Sequence, residues 1–220
     1  MKPLAALALL LVGCSTAASS TPSQTTAITC PVSAAPTAAQ AETSDATVTS
    51  AVVATSLGSF TIQLYPTAAP IATANFVALA TCGFYDQITF HRVVAGFVIQ
   101  AGDPQTKTNR GVFDGLGTGG PGYQFGIEPP ADGYHYDAYA VAMANAGAPN
   151  TNGSQFFIDL AGLDAQLARS YTIFGKVVDG TAIIDAIGAV ATNGAQAPPT
   201  PAYVPVEPVI ITSVTIKRSS

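Results

Sequence analysis

Basic and metal-binding side chains are scarce in this sequence. Its 220 residues include two His, three Cys and no Trp, and 8 Lys and Arg stand against 13 Asp and Glu. The basic residues are scattered singly, so they form no positive stripe that could neutralise phosphates. No H-E-x-x-H or C-x-x-C spacing occurs, which leaves an ordinary zinc site little to be built from. The composition therefore disfavours nucleic-acid binding and metal catalysis.

The N-terminus carries an apolar run, Leu4 to Val12, that is too short to cross a bilayer as a helix. With Lys2 before it, this run is typical of a signal peptide. It ends in the tetrapeptide LVGC, which resembles the bacterial lipobox and would place two acyl chains on Cys14. We expect residues 1–13 to be a lipoprotein signal peptide and the body to be extracytoplasmic, lipid-anchored to a bacterial cell membrane. The alternative is that Cys14 is incidental in an ordinary cleaved signal.

Residues 14–46 are rich in Ser, Thr, Ala and Pro and contain hardly any large apolar side chain. Such a segment cannot bury enough surface to offset its ordering entropy, so we predict a flexible tether. It contains Cys30, and the body contains Cys82. An oxidising compartment would permit a disulfide between them, but Cys82 as a small buried apolar residue with Cys30 free fits the sequence equally well.

The body, residues 47–220, is predicted to be one mainly β domain. Alternating β-branched and aromatic residues indicate short strands, whereas 3.6-residue apolar periods, one entered by Pro70 and closed by Gly83, indicate two helices. Gly-rich residues 111–126 are expected to form a long surface loop. Many short strands with two helices favour a closed barrel or a sandwich, between which the pattern does not choose. Strands are predicted within 47–65 (two), 88–100, 139–143, 155–160, 171–178 and 209–216, and helices at 69–82 and 181–189.

Two long motifs identify a family resemblance. The first is GFYD at 83–86 followed by FHRVVAGFVIQAGDP at 90–104, and the second is MANAG at 143–147 followed by PNTNGSQFFI at 149–158. GTGG at 117–120 lies between them and FGKV at 174–177 follows. Together these segments resemble the cyclophilins, and the resemblance covers about residues 48–216.

The resemblance implies a closed eight-stranded antiparallel β-barrel capped by two α-helices, with a substrate groove on its outside. It implies peptidyl-prolyl cis-trans isomerase activity on proline-containing polypeptides without any cofactor or metal. Its catalytic positions fall on Arg92, Phe97 and Gln100. Its substrate-binding positions fall on Val98, Ala144, Asn145, Gln155, Phe157, Leu163 and Tyr171.

These residue types suit rotation about an X-Pro bond. Amide resonance sets a barrier of about 18–20 kcal/mol, and the twisted transition state gains a localised lone pair on the proline nitrogen. The guanidinium of Arg92 can donate a hydrogen bond to that lone pair, which the planar ground state accepts poorly. An apolar socket would hold the proline ring meanwhile. His91 adjoins Arg92, but strand alternation is expected to point its side chain to the opposite face.

Several features depart from the family pattern. Gly162 precedes Leu163 where many eukaryotic members carry a Trp, so we expect weak cyclosporin binding. Ala95 replaces the usual Pro, Ala148 is an inserted residue, and the length of 165–170 differs, so Leu163 and Tyr171 are the least direct matches. A non-catalytic module or chaperone that binds Pro-containing segments is the alternative function. A two-lobed solute-binding lipoprotein has no room in this length, and we expect a monomer.

Overall fold

The computed structural model describes residues 30, 32–37, 40 and 47–219. The predicted signal peptide and Cys14 lie outside the described residues, and the division of the chain at residues 46 and 47 stays a prediction. No helix in the described ranges is long and apolar enough to cross a membrane. Residues 47–219 contain eight strands, two α-helices and one 3-10 helix at Pro104–Lys107. The strands are β1 Val48–Thr55, β2 Gly58–Leu64, β3 Arg92–Val94, β4 Val98–Ala101, β5 Ala140–Met143, β6 Phe156–Asp159, β7 Ile173–Asp179 and β8 Ile211–Arg218, and the helices are α1 Pro70–Thr81 and α2 Thr181–Gly188.

Local sequence explains most of these boundaries. Pro70 opens α1 because its missing N–H would have no helical partner there, and Gly83 follows the helix at φ +72°. The predicted strand at 88–100 is divided into β3 and β4, because Gly96 at φ +70° turns the chain between them. The turn between β1 and β2 falls at Ser56 and Leu57.

All eight strands belong to one antiparallel sheet in the order β3-β4-β6-β5-β7-β2-β1-β8. The prediction of a closed barrel is wrong, because the edge strands β3 and β8 do not pair with each other in the described part of the chain. Instead, the irregular segments that directly precede β3 and β8 contact each other. The Phe90 N–H donates to the Val209 carbonyl at 2.9 Å, and Thr89 and Ile210 form an isolated bridge. The sheet is therefore curled but open between its edges.

The concave side of the sheet holds the main core. Four aromatic rings meet there, with centroid separations of 5.0–6.5 Å, and both α1 and α2 contribute buried side chains to this core. Strand alternation sends Phe156 into this core, whereas its neighbour Phe157 faces a smaller apolar cluster on the other side. That second cluster forms the base of the candidate site. The four rings belong to Phe76, Tyr85, Phe156 and Phe174.

A disulfide joins Cys30 to Cys82, with their Cα atoms 5.2 Å apart. The sequence left this pairing open. Val32 and Ala35 pack beside it against the main core, and the described residues 32–36 line a depression over the outer side of α1. Residues 30 and 32–36 are thus attached to α1, which packs in the main core and not in the smaller cluster that contains Phe157.

Candidate active site

Arg92 and Gln100 face each other across the β3–β4 pair. The Nη1 atom of Arg92 lies 3.5 Å from Oε1 of Gln100, and its guanidinium carbon is 6.0 Å from the centre of the Phe97 ring. Phe97 lies in the turn between the two strands, so the three predicted catalytic positions are brought together by one tight hairpin. Partial burial lowers the pKa of Arg92, while the nearby phenols of Tyr203 and Tyr171 act in the opposite direction. The guanidinium remains charged at neutral pH.

A buried apolar cluster lies next to this hairpin. It contains Val98, Phe157 and Leu163, which are 3%, 5% and 1% exposed. Half-buried Phe97 and Tyr171 pack against it, and the Tyr171 ring meets the Phe157 ring edge-on at 5.4 Å. The residues of the predicted proline pocket thus form one contiguous cluster, and their binding of a proline ring stays a prediction. A proline ring would meet mostly carbon atoms there.

Gln155 has a role that the sequence did not indicate. Its Oε1 accepts a hydrogen bond from Nε2 of Gln100 at 3.0 Å. Its own Nε2 donates to the carbonyl oxygens of Gly117 and Gly119, both at 2.8 Å. The side chain thus fixes both the amide of Gln100 and the glycine-rich loop beside it.

Asn145 is likewise engaged inside the protein. Its Nδ2 donates to the Ser170 carbonyl at 2.9 Å, and its Oδ1 accepts from the Gly147 N–H at 3.0 Å. The Ala144 N–H donates to the Gln155 carbonyl at 2.9 Å. The side chain of Asn145 therefore ties the 144–151 loop to the segment that ends at Tyr171. Its direct contact with a peptide stays a prediction.

Asp103 is a buried anchor for the glycine-rich loop that the sequence analysis missed. Its Oδ2 accepts from the Gly117 N–H at 2.7 Å and its Oδ1 accepts from the Gln105 N–H at 2.9 Å. A side chain at Gly119 would collide with this carboxylate, so glycine is required there. The signal that could have revealed Asp103 is the sequence Asp-Pro, in which an Asp often caps the turn that the Pro begins. A groove of about 660 Å³ runs between this loop, Gln100 and residues 144–146.

His91 directly precedes β3 and is buried beside Asp103 and the glycine-rich loop, and its expected orientation away from the face of Arg92 stays a prediction. It is 4% exposed, and burial lowers its pKa to about 4, although the nearby Asp103 favours the protonated form. The imidazole is therefore neutral at physiological pH and lies against the backbone of Gly117. Within the described ranges, no group of three or more His, Cys, Asp or Glu could hold a metal ion.

Residues 50–216 match the family model described as "Cyclophilin type peptidyl-prolyl cis-trans isomerase/CLD". A peptidyl-prolyl cis-trans isomerase-like 1 of Aspergillus oryzae is 45% identical over 144 residues, which cover 66% of this chain and 84% of that protein. Peptidyl-prolyl cis-trans isomerase A of Mycobacterium tuberculosis is 40% identical over 179 residues, which cover 74% of this chain and 88% of that protein.

Solved structures resemble the fold as well. The crystal structure of a cyclophilin type peptidyl-prolyl cis-trans isomerase from Cryptosporidium parvum superposes with a TM-score of 0.66 at 32% identity. The match covers 79% of this chain and 99% of that one. A second structure of that protein was determined in the presence of the dipeptide Ala-Pro, with a TM-score of 0.65.

Proposed function

Because this chain belongs to the cyclophilin-type peptidyl-prolyl cis-trans isomerase family, we propose that Arg92 accelerates X-Pro rotation by donating a hydrogen bond to the twisted amide. The observation that carries this proposal is the placement of the guanidinium 6.0 Å from the centre of the Phe97 ring, which packs against the apolar cluster around Phe157. A proline ring seated against that cluster would bring its nitrogen towards the guanidinium. No covalent bond has to break in this reaction.

The charge environment favours such a role. Gln100 contacts Arg92 through a neutral amide oxygen, so the guanidinium is oriented without being neutralised by a carboxylate. Ground-state amide nitrogen has its lone pair in resonance and accepts hydrogen bonds poorly, whereas the twisted nitrogen accepts them well. Arg92 therefore binds the transition state more tightly than the substrate. The pocket and the groove supply the remaining acceleration by holding the proline and the residues that flank it.

The natural substrates on this proposal are proline-containing polypeptides outside the cytoplasm. The disulfide between Cys30 and Cys82 supports this location, because disulfides persist in oxidising compartments and are rare in the cytosol. We propose that a lipid on Cys14 anchors the protein to a bacterial cell membrane, where it assists secreted or envelope proteins. A full-length chain expressed in a bacterium should sediment with membranes, and Cys14→Ser should release it; equal sedimentation of both would contradict the anchor.

The substitution Arg92→Lys tests the role of the guanidinium itself. Lys keeps the positive charge but lacks the planar fork that can reach nitrogen and carbonyl together. We expect a large loss of kcat on a short X-Pro peptide, while peptide affinity measured by NMR titration changes little. A Lys variant with wild-type kcat would show that charge alone is sufficient and would overturn the proposed hydrogen bond.

A further inference from the structure

The proline pocket depends on a segment without helix or strand. Leu163 and Tyr171 both come from residues 160–171, between β6 and β7, where no sheet ladder holds the backbone. Loose backbone at this place would shift Leu163 and Tyr171 within the apolar cluster around Phe157 and so change the shape of the predicted proline pocket. The groups that hold this segment therefore decide how well a proline ring fits.

Tyr136 contacts this segment at both ends. Its hydroxyl lies 2.9 Å from the Tyr171 carbonyl and 3.1 Å from the Ala168 carbonyl, and it accepts a hydrogen bond from the Tyr171 N–H at 3.1 Å. At the other end, the Leu163 N–H donates to the Tyr136 carbonyl at 2.7 Å, and the Tyr136 N–H donates to Asp164 Oδ1 at 2.9 Å. Tyr136 thus accepts hydrogen bonds from the backbone N–H groups of Leu163 and Tyr171, which are eight residues apart.

The hydroxyl of Tyr136 is shielded from water. Tyr136 is 0% exposed, and its ring packs in the same cluster as Leu163 and Phe157. Burial raises the pKa of the phenol, so it remains protonated and can donate to a carbonyl while accepting from the Tyr171 N–H. Hydrogen bonds of this kind are costly to lose, because the buried backbone partners would be left unpaired.

Other contacts between residues 130–136 and the 160–171 segment are more exposed. Arg169 donates to the carbonyls of Pro130 and Ala131, and His135 pairs with Asp164 at 2.6 Å with both side chains about half exposed. Exposed pairs of this kind contribute little to stability. The buried hydroxyl of Tyr136, by contrast, bonds directly to the backbone of Tyr171.

We propose that Tyr136 is a positioning residue that sets the shape of the proline pocket, and hence the affinity for proline-containing peptides, through its hydroxyl contacts with the Tyr171 backbone. This inference rests on the proposed function, because it assumes that the apolar cluster around Phe157 receives the proline ring. Tyr136 would not touch the substrate. Its effect would be on KM, whereas the effect of Arg92 would be on kcat.

Tyr136→Phe tests the proposal, because it removes the hydroxyl and keeps the ring. We expect KM and the dissociation constant of an Ala-Pro peptide to rise about tenfold, with kcat within about twofold of wild type. Tyr134→Phe is the matched control: its ring packs on Tyr65 at 4.9 Å, and within the described residues its hydroxyl makes no hydrogen bond to the 160–171 segment. A Tyr136→Phe protein with wild-type KM and peptide affinity would overturn the proposal, as would an equal effect of Tyr134→Phe.

A measurement on the unaltered chain keeps the test decisive if Tyr136→Phe folds poorly. If the Tyr171 N–H must be held by Tyr136 for the peptide to bind, peptide at ten times its dissociation constant should slow amide exchange at Tyr171 about tenfold. Unchanged exchange at saturation would overturn the proposal. Both the affinity and exchange readouts remain valid even if the Arg92 mechanism fails, because neither requires turnover.

Discussion

Arg92 and Gln100 form a cross-strand pair in which the amide oxygen of Gln100 lies 3.5 Å from Nη1 of Arg92. The amide nitrogen of Gln100 is held by Gln155, which in turn holds the carbonyls of Gly117 and Gly119. This chain of contacts fixes which side of the Gln100 amide faces the guanidinium. The glycine-rich loop and the guanidinium are therefore oriented by one connected set of neutral groups.

Gln100→Glu should impair catalysis by placing a carboxylate beside Arg92. The new charge would pair with the guanidinium and compete with the substrate, and it would lose the donor that contacts Gln155. We expect kcat/KM to fall at least about tenfold, corresponding to about 1.4 kcal/mol. Gln63→Glu, an exposed position on β2, is the control and should remain fully active. Wild-type activity in Gln100→Glu would mean that this pair does not orient the guanidinium.

The disulfide should stabilise the body without affecting turnover. Cys82 follows α1, which packs in the main core and not in the cluster that contains Phe157, so Cys30→Ser/Cys82→Ser should keep its kcat/KM. Its free energy of unfolding should be about 2–4 kcal/mol lower. Denaturant unfolding checks this: reductant should lower the midpoint of the wild type and leave the double variant unchanged. Identical midpoints for the oxidised wild type and the double variant would count against a stabilising bridge.

Asp159 should make stability depend on pH. It is fully buried, and neither carboxylate oxygen has a hydrogen-bond partner in the described part of the chain. Burial, with smaller effects of Asp137 and Asp164, raises its pKa from 3.8 to about 8. Because the folded state holds the proton more tightly than the unfolded state, the stabilising contribution is complete below about pH 4 and is lost as the pH rises towards 8.

The test compares the wild type with Asp159→Asn between pH 4.5 and pH 8. The free energy of unfolding of the wild type should decline relative to that of the variant by up to about 1.4 kcal/mol per pH unit. His91, whose pKa is lowered by burial, contributes the opposite slope only below about pH 6.5 and is present in both proteins. Parallel stability curves across this range would show that the buried carboxyl does not titrate as described.

Cyclosporin should inhibit this protein weakly, because Gly162 leaves the position before Leu163 without a large aromatic side chain. A Cβ at Gly162 would meet nothing within 4 Å and its φ is not positive, so a larger residue can be introduced there. We expect Gly162→Trp to lower the inhibition constant, whereas Trp at Gly111, another open position, should leave it unchanged. Nanomolar inhibition of the wild type would contradict the prediction.

The sequence predicted the elements well where local signals were strong. Helix α1 is bounded by Pro70 and Gly83, and the strands follow their alternation, because both patterns depend on neighbours in the chain. Closure of the sheet could not be predicted, since it depends on whether residues 87–90 meet 209–211 as a ladder or as isolated contacts. The distance between Cys30 and Cys82 could not be predicted either, because it depends on how segments 52 residues apart pack together.

The site shows the same division. The hairpin that gathers Arg92, Phe97 and Gln100 is local, so motif and geometry agree. Asn145 bonds to Ser170, 25 residues away, and Gln155 bonds to Gly117 and Gln100, 38 and 55 residues away, and no pattern in the sequence specifies such partners. Tyr136 was missed because it lies in irregular chain, where neither period nor motif indicates which way a side chain points.

The prolyl isomerisation rate of residues 30–220 on a short X-Pro peptide, measured for wild type, Arg92→Ala and Arg110→Ala, tests the central claim most directly. Within the described residues, the side chain of Arg110 makes one hydrogen bond, to the exposed Gln87 at 2.9 Å, and it serves as the control for losing one positive charge. We predict a fast wild type, an equally fast Arg110→Ala, and a kcat/KM for Arg92→Ala that is roughly one to two decades lower. An Arg92→Ala protein as fast as the wild type would contradict the proposed role of Arg92.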